Sequence, residues 1–147
     1  MTRRTGDFKA YSFYHIYNRG NNKDEVIKYA DDKKLFLNIL YTSLKKTDLY
    51  LFAYCIMDNH FHLIIKTGEH PQIISKFMQS FGTSFAIQVN RKNRRVGHVF
   101  QGAYRSKLLR YKKDIRQVLS YVKENPVKEG LVKRSKDYPW GKVFGLI

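Results

Sequence analysis

The sequence predicts an α+β fold in which amphipathic helices pack on an antiparallel sheet. Short segments rich in aromatic and aliphatic residues alternate with longer segments whose apolar residues recur every three or four positions. Two of the strand-like segments are close enough along the chain to form a hairpin. Hydrophobic residues make up 43% of the 147-residue chain, which is enough for one packed core. We therefore expect residues 1–147 to form a single domain.

The amino-terminal part of the chain predicts a strand, a turn and a helix. Residues 11–17 alternate aromatic with smaller side chains, which is typical of a strand, and residues 18–22 contain the Asn and Gly typical of a turn. Asp31 or Asp32 can cap the helix that follows. The apolar residues of this helix lie at helical spacing and are Phe36, Ile39, Leu40 and Leu44.

A β-hairpin and a second helix come next. Strands are expected at Leu49–Ile56 and His60–Lys66, because only the turn Met57–Asn59 separates them. Pro71 suits the first turn of a helix, which we expect to end near Asn90. The apolar residues of this second helix are Ile74, Phe77, Met78, Phe81, Phe85 and Val89.

The carboxy-terminal part adds a loop, a strand and a last helix. Arg91–Gly102 predicts a basic loop, and Ala103–Arg110 predicts a strand. Asp114 can cap a helix that runs to about Glu124, where the Asn-Pro pair at 125–126 is expected to end it. The elements then follow the ferredoxin-like order β-α-β-β-α-β with an additional C-terminal helix. Two helices would cover one face of the sheet, and the other face would be open.

The charge of the chain is strongly positive and unevenly distributed. The sequence has 28 Lys and Arg against 12 Asp and Glu, which gives a net charge of +16. Residues 71–147 hold 17 of the basic side chains but only 4 of the acidic ones. Folding does not need such an excess, which mildly opposes compaction. A polyanionic partner is indicated, and nucleic acid is the commonest one.

Several classes of protein are disfavoured by the sequence. No apolar run is long enough to span a bilayer, and the first residues lack the apolar stretch of a secretion signal. The single cysteine, Cys55, allows neither an intrachain disulfide nor a thiolate metal cluster, and we expect it to be a small core residue. These features favour a cytoplasmic protein that does not act at a membrane.

The segment His60-Phe61-His62 is the sharpest chemical signal. Alternate residues of a strand face the same way, so both histidines share a face with Ile64, while the apolar residues between them face the helices. Two imidazoles on an open face could hold one divalent ion, although two ordinary surface histidines would show the same pattern. His15 on the first strand could lie near the pair as a ligand, as a group behind a ligand, or as a structural histidine.

A phenol and an amide lie side by side on the last predicted helix. Tyr121 falls beside the apolar stripe of this helix, and Asn125 lies one turn later on the same side. The two side chains could project into a functional site. Alternatively, Tyr121 is an amphipathic residue at the edge of the core and Asn125 simply ends the helix.

The predicted basic loop and the strand after it could bind a nucleic acid strand. Cations can contact phosphates, aromatic rings can stack on bases, and glycines allow a close approach to a sugar-phosphate chain. A solvated helix end would be equally basic. The candidate DNA-binding residues are Arg91, Lys92, Arg94, Arg95, His98, Phe100 and Arg105.

Four sequence motifs occur in an order found in one family. They are Tyr14–Gly20, Ala53–Leu63, Gly97–Gly102 and Tyr121–Val127. Together they resemble the single-tyrosine HUH transposases of bacterial insertion sequences, and in particular the REP-associated tyrosine transposase branch. The resemblance covers roughly residues 11–140.

This resemblance implies a metal-dependent nuclease and strand transferase that acts on single-stranded DNA through a covalent 5′-phosphotyrosine. His60 and His62 correspond to the HUH histidines and would bind Mg²⁺ or Mn²⁺, while Tyr121 corresponds to the nucleophile. Asn125 stands where insertion-sequence members have a glutamine as a further metal ligand. The substrate would be hairpin-containing DNA of the bacterial nucleoid. The family includes monomers and dimers, so a homodimer stays open.

Two other functions stay open on sequence grounds. One is a nucleic-acid-binding relative with an idle site, which would lack metal-dependent strand transfer. The other is a metal-dependent phosphodiester hydrolase that uses water and forms no covalent intermediate.

Overall fold

The computed structural model describes residues 7–145, which are built on a five-stranded antiparallel sheet. The strands are β1 (Phe13–Arg19), β2 (Tyr50–Ile56), β3 (His60–Lys66), β4 (Arg105–Leu109) and β5 (Gly141–Val143). Their order across the sheet is β4-β1-β3-β2-β5, and each neighbouring pair is antiparallel. β1 and β3 therefore lie side by side in the interior of the sheet.

Three helices pack on the two faces of this sheet. They are α1 (Ala30–Leu44), α2 (Ile73–Asn93) and α3 (Lys112–Lys128). α1 and α2 contact each other and cover one face over the larger apolar core. α3 packs on the opposite face, where Ile115 and Val122 join a smaller core with Ile64 and Leu109. The first six elements have the order β-α-β-β-α-β, so the predicted α+β, ferredoxin-like fold is confirmed.

The sheet face that carries the histidines is not open, and this part of the prediction is wrong. α3 and the segment around Tyr138 pack on it, and His62 is only 6% exposed. The alternation along β3 correctly separated the two faces of the sheet. It did not show that the last helix folds back over the second face, which buries the apolar stripe of that helix.

α3 continues through Asn125 and Pro126 instead of ending before them, contrary to the prediction. Proline lacks the N–H that would bond four residues back, and the helix tolerates this loss in its final turn. The left-handed residue Gly130, with φ 76°, closes the helix one turn later. The Gly130 N–H donates to the carbonyl of Val127 at 3.0 Å, and the Leu131 N–H donates to that of Pro126 at 2.9 Å. This pair of bonds is the usual glycine-centred helix ending.

α2 is also longer than predicted, so part of the expected basic loop is helical. Arg91 and Lys92 lie in its last turn rather than in a loop. The helix ends at Asn93, and the next residue, Arg94, is a non-glycine residue with the left-handed φ of 54°. The glycine that commonly marks such an end comes later, at Gly97, which explains why the boundary could not be placed from the sequence.

The predicted capping aspartates act from inside the first helical turn. The Tyr29 N–H donates to Asp32 Oδ2 at 3.4 Å, and the Tyr111 N–H donates to Asp114 Oδ2 at 3.3 Å. Both aspartates are therefore the third residues of their helices, and each helix begins earlier than predicted.

The strand boundaries agree with the prediction best at the central hairpin. β3 has the predicted bounds, and β2 begins one residue late. β1 begins at Phe13 because Tyr11 has a left-handed backbone with φ 51°, and it extends to Arg19 through the start of the predicted turn. β4 is shorter than predicted at both ends.

The carboxy-terminal segment, for which no strand was predicted, extends the sheet through β5. β5 pairs with β2, placing Val143 opposite Ala53. The Tyr138 hydroxyl donates to the carbonyl of Ile56 at 2.6 Å, and the Ile56 N–H donates to the carbonyl of Trp140 at 2.8 Å. The tail is thus part of the sheet that supports the histidines. Within residues 7–145, no helix combines the length and apolar character needed to cross a membrane.

Candidate active site

The two histidines of β3 are anchored through the same ring nitrogen. His60 Nδ1 lies 2.7 Å from Asn59 Oδ1, and His62 Nδ1 lies 2.9 Å from Nε2 of His15. The histidines are two residues apart on a strand, so both rings project to the α3 side, with ring centroids 5.1 Å apart. This arrangement leaves Nε2 of each ring to face other groups.

His60 lies between two amide oxygens. Its Nε2 is 2.9 Å from Asn125 Oδ1 on α3, and it is 3.7 Å from a carboxylate oxygen of Glu129. A neutral imidazole carries one N–H, so His60 can donate to only one of these two amide oxygens. In the tautomer with the hydrogen on Nδ1, the bare Nε2 and the Asn125 oxygen face each other and could share a metal ion.

His62 is buried, and burial favours its neutral form. Desolvation, followed by the neighbouring His15 and His60, lowers the pKa of His62 to about 3. Burial likewise lowers the pKa of His15 to about 4, with a further contribution from Lys107. Within the described residues, Nε2 of His62 has no hydrogen-bond partner. The site therefore contains an uncharged imidazole with an unpartnered nitrogen.

Tyr121 is brought to the histidines by α3. Its ring lies edge-on to that of His62, with the centroids 5.6 Å apart, and Nζ of Lys128 lies 5.5 Å from the centroid of the Tyr121 ring. Asn125 is one helical turn away, whereas Val122 between them is buried in the core. The side chain of Tyr121 is 46% exposed, so a substrate can reach it.

A groove of about 880 Å³ joins these side chains. His60, His62, Tyr121 and Asn125 all line it, although they come from β3 and α3, which are far apart in the sequence. Its basic lining residues are Arg19, Lys23 and Arg105. The groove thus combines nitrogen and oxygen donors, a phenol and positive charge, which together suit a phosphodiester.

The residues present fit a divalent ion. In the described part of the chain, no group of three or more His, Cys, Asp and Glu side chains is arranged to hold a metal ion, so an ion would rely on two imidazoles and an amide. The 2.9 Å between His60 Nε2 and Asn125 Oδ1 is close to the spacing of about 3 Å between adjacent ligands of a small octahedral ion. The unpartnered Nε2 of His62 would supply the third donor. A mixed nitrogen and oxygen set of this kind suits Mn²⁺ better than Mg²⁺.

The four predicted DNA-binding cations near the end of α2 differ in whether they form ion pairs. Lys92 Nζ lies 3.0 Å from an aspartate oxygen at the start of α1, and Arg95 Nη2 lies 4.0 Å from a carboxylate of Asp24. Arg91 and Arg94 are exposed. The ion pairs found within residues 7–145 do not include them. Two of the four charges are thus paired with carboxylates of the protein.

The other predicted DNA-binding residues also differ in position. Phe100 packs against Phe61 and Phe85, with ring centroids at 5.5 and 5.9 Å, so much of its ring belongs to the core. His98 is exposed on a second groove of about 710 Å³ beside α2. Arg105 lines the groove that contains the histidines and Tyr121.

Residues 9–125, well over half of the chain, match the family described as Transposase IS200 like. The chain belongs to this family of transposases. The matched range includes His60, His62, Tyr121 and Asn125, so the residues that line the groove lie within the family match. The resemblance drawn from the four motifs is confirmed, and the family places this transposase among enzymes that act on DNA.

Individual proteins that are similar to this chain are also described as transposases. Over 131 residues this transposase is 28% identical to a candidate REP-associated tyrosine transposase of Haemophilus influenzae, a match covering 80% of this chain and 73% of that protein. A REP-associated tyrosine transposase solved bound to a REP hairpin has a similar fold, with TM-score 0.79, 17% identity and coverage of 96% of this chain and 82% of that chain. A candidate transposase from Deinococcus radiodurans aligns with TM-score 0.56, 16% identity and coverage of 82% and 95%.

Several residues that line the groove or contact His60 are not among the predicted site residues. Asn59 belongs to a predicted turn, and its place directly before His60 is the sequence signal that it could contact that ring. Arg19 belongs to another predicted turn, and no role is predicted for Lys23, yet both line the groove. Glu129 lay beyond the predicted end of the last helix, so its approach to His60 had no sequence signal.

Proposed function

We propose that this transposase is a metal-dependent single-stranded DNA nuclease and strand transferase that forms a covalent 5′-phosphotyrosine at Tyr121. The observation that carries the proposal is the meeting of His60, His62, Asn125 and Tyr121 in one groove. Folding alone does not require a buried imidazole with an unpartnered nitrogen beside a half-exposed phenol, because buried polar atoms are ordinarily hydrogen-bonded.

His60, His62 and Asn125 would hold Mg²⁺ or Mn²⁺. When bound, the ion would withdraw charge from a phosphoryl oxygen and make the phosphorus more electrophilic. Two features support this assignment: the unpartnered Nε2 of His62, and the close approach of His60 Nε2 to Asn125 Oδ1. The anchored Nδ1 atoms would keep both rings turned toward the phosphate.

Tyr121 would attack the phosphorus in line with the bond to the 3′ oxygen. A bond forms between Tyr121 Oη and phosphorus, and the bond between phosphorus and the 3′ oxygen breaks. The phenol gives up its proton and the leaving oxygen takes one up, which yields a 5′-phosphotyrosine and a free 3′-hydroxyl. The ammonium of Lys128 near the ring would stabilise the developing phenolate. Because the phosphodiester energy is kept in the covalent bond, a 3′-hydroxyl can rejoin the strands without ATP.

The DNA strand would follow the basic lining of the groove, along Arg19, Lys23 and Arg105. The net charge of +16 supports a polyanionic ligand. The structurally similar transposase was solved with a REP hairpin, so hairpin-containing single-stranded DNA is the substrate class that we propose. All four reacting and ligating residues come from one chain, so the proposed site does not need a second copy to complete it.

The variant Tyr121→Phe tests the nucleophile. Labelled single-stranded hairpin DNA from the flanks of the gene is incubated with the protein and Mn²⁺, and the products are separated on a denaturing protein gel. We expect a labelled adduct with the wild type that EDTA abolishes. The variant should lose adduct and cleavage by at least about 10³-fold, because phenylalanine has no oxygen to attack with. DNA binding should be retained, because the ring and its packing remain.

The matched control is Tyr111→Phe, another exposed tyrosine at the start of α3 that does not line the groove. It should form the adduct as the wild type does. Cleavage by Tyr121→Phe without any adduct would show a water-using hydrolase, whereas a wild type that binds DNA without cleaving it would show an idle relative. An adduct that persists in Tyr121→Phe would assign the nucleophile to another tyrosine, which mass spectrometry of the trapped peptide would identify.

A further inference from the structure

His15 lies directly behind the proposed site but has no part in the steps above. It is buried on β1, and its Nε2 lies 2.9 Å from Nδ1 of His62. The strand register puts Tyr17 opposite His62 and His15 opposite Ile64, so His15 reaches His62 diagonally across the two interior strands. Ring stacking on Tyr17, with centroids 4.7 Å apart, and on His62, with centroids 5.1 Å apart, limits its rotation.

One hydrogen lies between His15 Nε2 and His62 Nδ1. Which of the two nitrogens carries this hydrogen decides whether Nε2 of His62 can bind a cation. If His15 donated, the hydrogen of a neutral His62 would lie on Nε2, where the described residues offer no acceptor. A buried N–H without an acceptor is costly. If His62 donates from Nδ1, its Nε2 is bare and can accept a cation.

We propose that His15 is a positioning residue, which accepts the Nδ1–H of His62 and so holds His62 in the tautomer and orientation that present Nε2 to the groove. His15 is not itself a ligand through Nε2, because that lone pair is used in the bond to His62. The functional consequence rests on the proposed metal role of His62, whereas the tautomer is a property of the metal-free protein. Groups that hold metal-binding histidines in this way change metal affinity about 10- to 100-fold.

The first experiment measures the imidazole nitrogen shifts of the metal-free wild type by NMR at neutral pH. The sequence has five histidines, and the signals of His62 can be assigned by their loss in His62→Gln. We expect the hydrogen of His62 on Nδ1 and a bare Nε2. A hydrogen on Nε2 would overturn the proposal. This measurement does not depend on the folding of any His15 variant.

The second experiment compares two replacements of His15. The oxygen of His15→Gln can still accept a hydrogen bond, whereas His15→Phe keeps a ring that can stack on Tyr17 but cannot accept. We expect Mn²⁺ affinity, measured by calorimetry, to fall about 10- to 100-fold in His15→Phe and to recover in His15→Gln. Cleavage by His15→Phe should fall at limiting Mn²⁺ and be restored by excess Mn²⁺, with unchanged KM for DNA. His70→Phe replaces an exposed histidine outside the groove and should behave as the wild type.

The outcomes separate this proposal from the proposed function. Equal Mn²⁺ affinity in the wild type and in folded His15→Phe would show that His15 is only a structural histidine, and the positioning role would be wrong. A wild type with the expected His62 tautomer but without Mn²⁺ binding would contradict the metal-dependent function and leave the hydrogen-bond assignment standing.

Discussion

His60 and His62 are only two residues apart on β3, but they differ in burial. His62 lies under α3 with one nitrogen fixed by His15, whereas His60 is half-buried and faces Asn125 and Glu129. Neutral imidazoles are the form that can ligate a metal. Burial favours that form for His62 at neutral pH, because it lowers the pKa of the imidazole to about 3. At this scale the chemistry of each ring is decided by the partner of its Nδ1 and by its depth below the surface.

The single cysteine, Cys55, lies in the smaller core beneath α3, so its reactivity depends on the packing of that helix. Cys55 is 2% exposed, and burial, followed by the charge of Glu129, raises the pKa of its thiol to about 12 from an ordinary value of 9.0. The folded state therefore favours the neutral thiol. The contribution of this thiol to the free energy of unfolding is fully present below its pKa in the unfolded state, and it is lost as the pH rises toward the pKa in the folded state. We expect reaction with a disulfide reagent at about pH 8 to be at least about 10³-fold slower in the native protein than in denaturant.

The control for this measurement is the same reaction in guanidinium chloride, where the thiol is exposed. Rapid modification of the native protein would mean that α3 does not cover Cys55 as described.

The ends of the helices decide which surface charges are available to DNA. α2 runs three residues past its predicted end, and this places Lys92 against Asp32 at the start of α1. Asp32 also accepts a hydrogen bond from Asn93 at 3.1 Å, so the two helix ends are tied together. Arg91 and Arg94 remain exposed on the outer side of the same turn. The basic run therefore contains charges that are paired with carboxylates and charges that form no ion pair within residues 7–145.

This division predicts different salt effects for two double variants. For single strands, log affinity falls with log salt with a slope of about −0.7 per phosphate neutralised. Replacing Arg91 and Arg94 by Gln should flatten the slope by up to about 1.4, if each arginine contacts one phosphate. Replacing Lys92 and Arg95 by Gln should change the slope less and lower the melting temperature, because the buried carboxylate of Asp32 loses its ammonium partner.

Salt titrations of labelled single-stranded DNA measure both slopes, and circular dichroism gives the melting temperatures. A slope that is unchanged in the Arg91 and Arg94 variant would move the phosphate contacts to the groove cations Arg19, Lys23 and Arg105.

Across the whole molecule, the carboxy-terminal segment completes the support of the site. β5 covers the edge of β2, and Tyr138 packs into the smaller core between β2 and α3. The hydroxyl of Tyr138 donates to the carbonyl of Ile56 at the end of β2, just before the hairpin turn that carries Asn59. The stability of the sheet and the position of the turn therefore both depend on residues near the end of the chain.

The variant Tyr138→Phe measures this support. It keeps the ring but leaves the buried carbonyl of Ile56 without the hydroxyl donor, so the free energy of unfolding should fall by about 1 to 3 kcal/mol. Urea unfolding followed by fluorescence gives the difference. Tyr50→Phe is the matched control, because Tyr50 is an exposed tyrosine on β2, the strand that carries Ile56. It should change the free energy of unfolding by less than about 0.5 kcal/mol. Equal effects of the two variants would contradict a supporting role for the tail.

Local patterns in the sequence were enough to predict four of the five strands, the three helices and the central hairpin, and they singled out His60, His62, Tyr121 and Asn125, which line one groove. Alternation along His60–Lys66 fixed the two faces of β3, and helical spacing placed Tyr121 beside Asn125, because both periodicities are properties of neighbouring residues. The four motifs in order led to the family, which the match over residues 9–125 confirms.

The tertiary structure alone decided how these pieces meet. Asn125 comes within 2.9 Å of His60 only because α3 folds back over the histidine face, and His15 meets His62 only through the pairing of β1 with β3. Contacts of this kind depend on how whole apolar faces pack, and packing between residues 47 or 65 positions apart leaves no periodic signal in the sequence. The same reason applies to Lys92, whose ion-pair partner is 60 residues away and belongs to another helix.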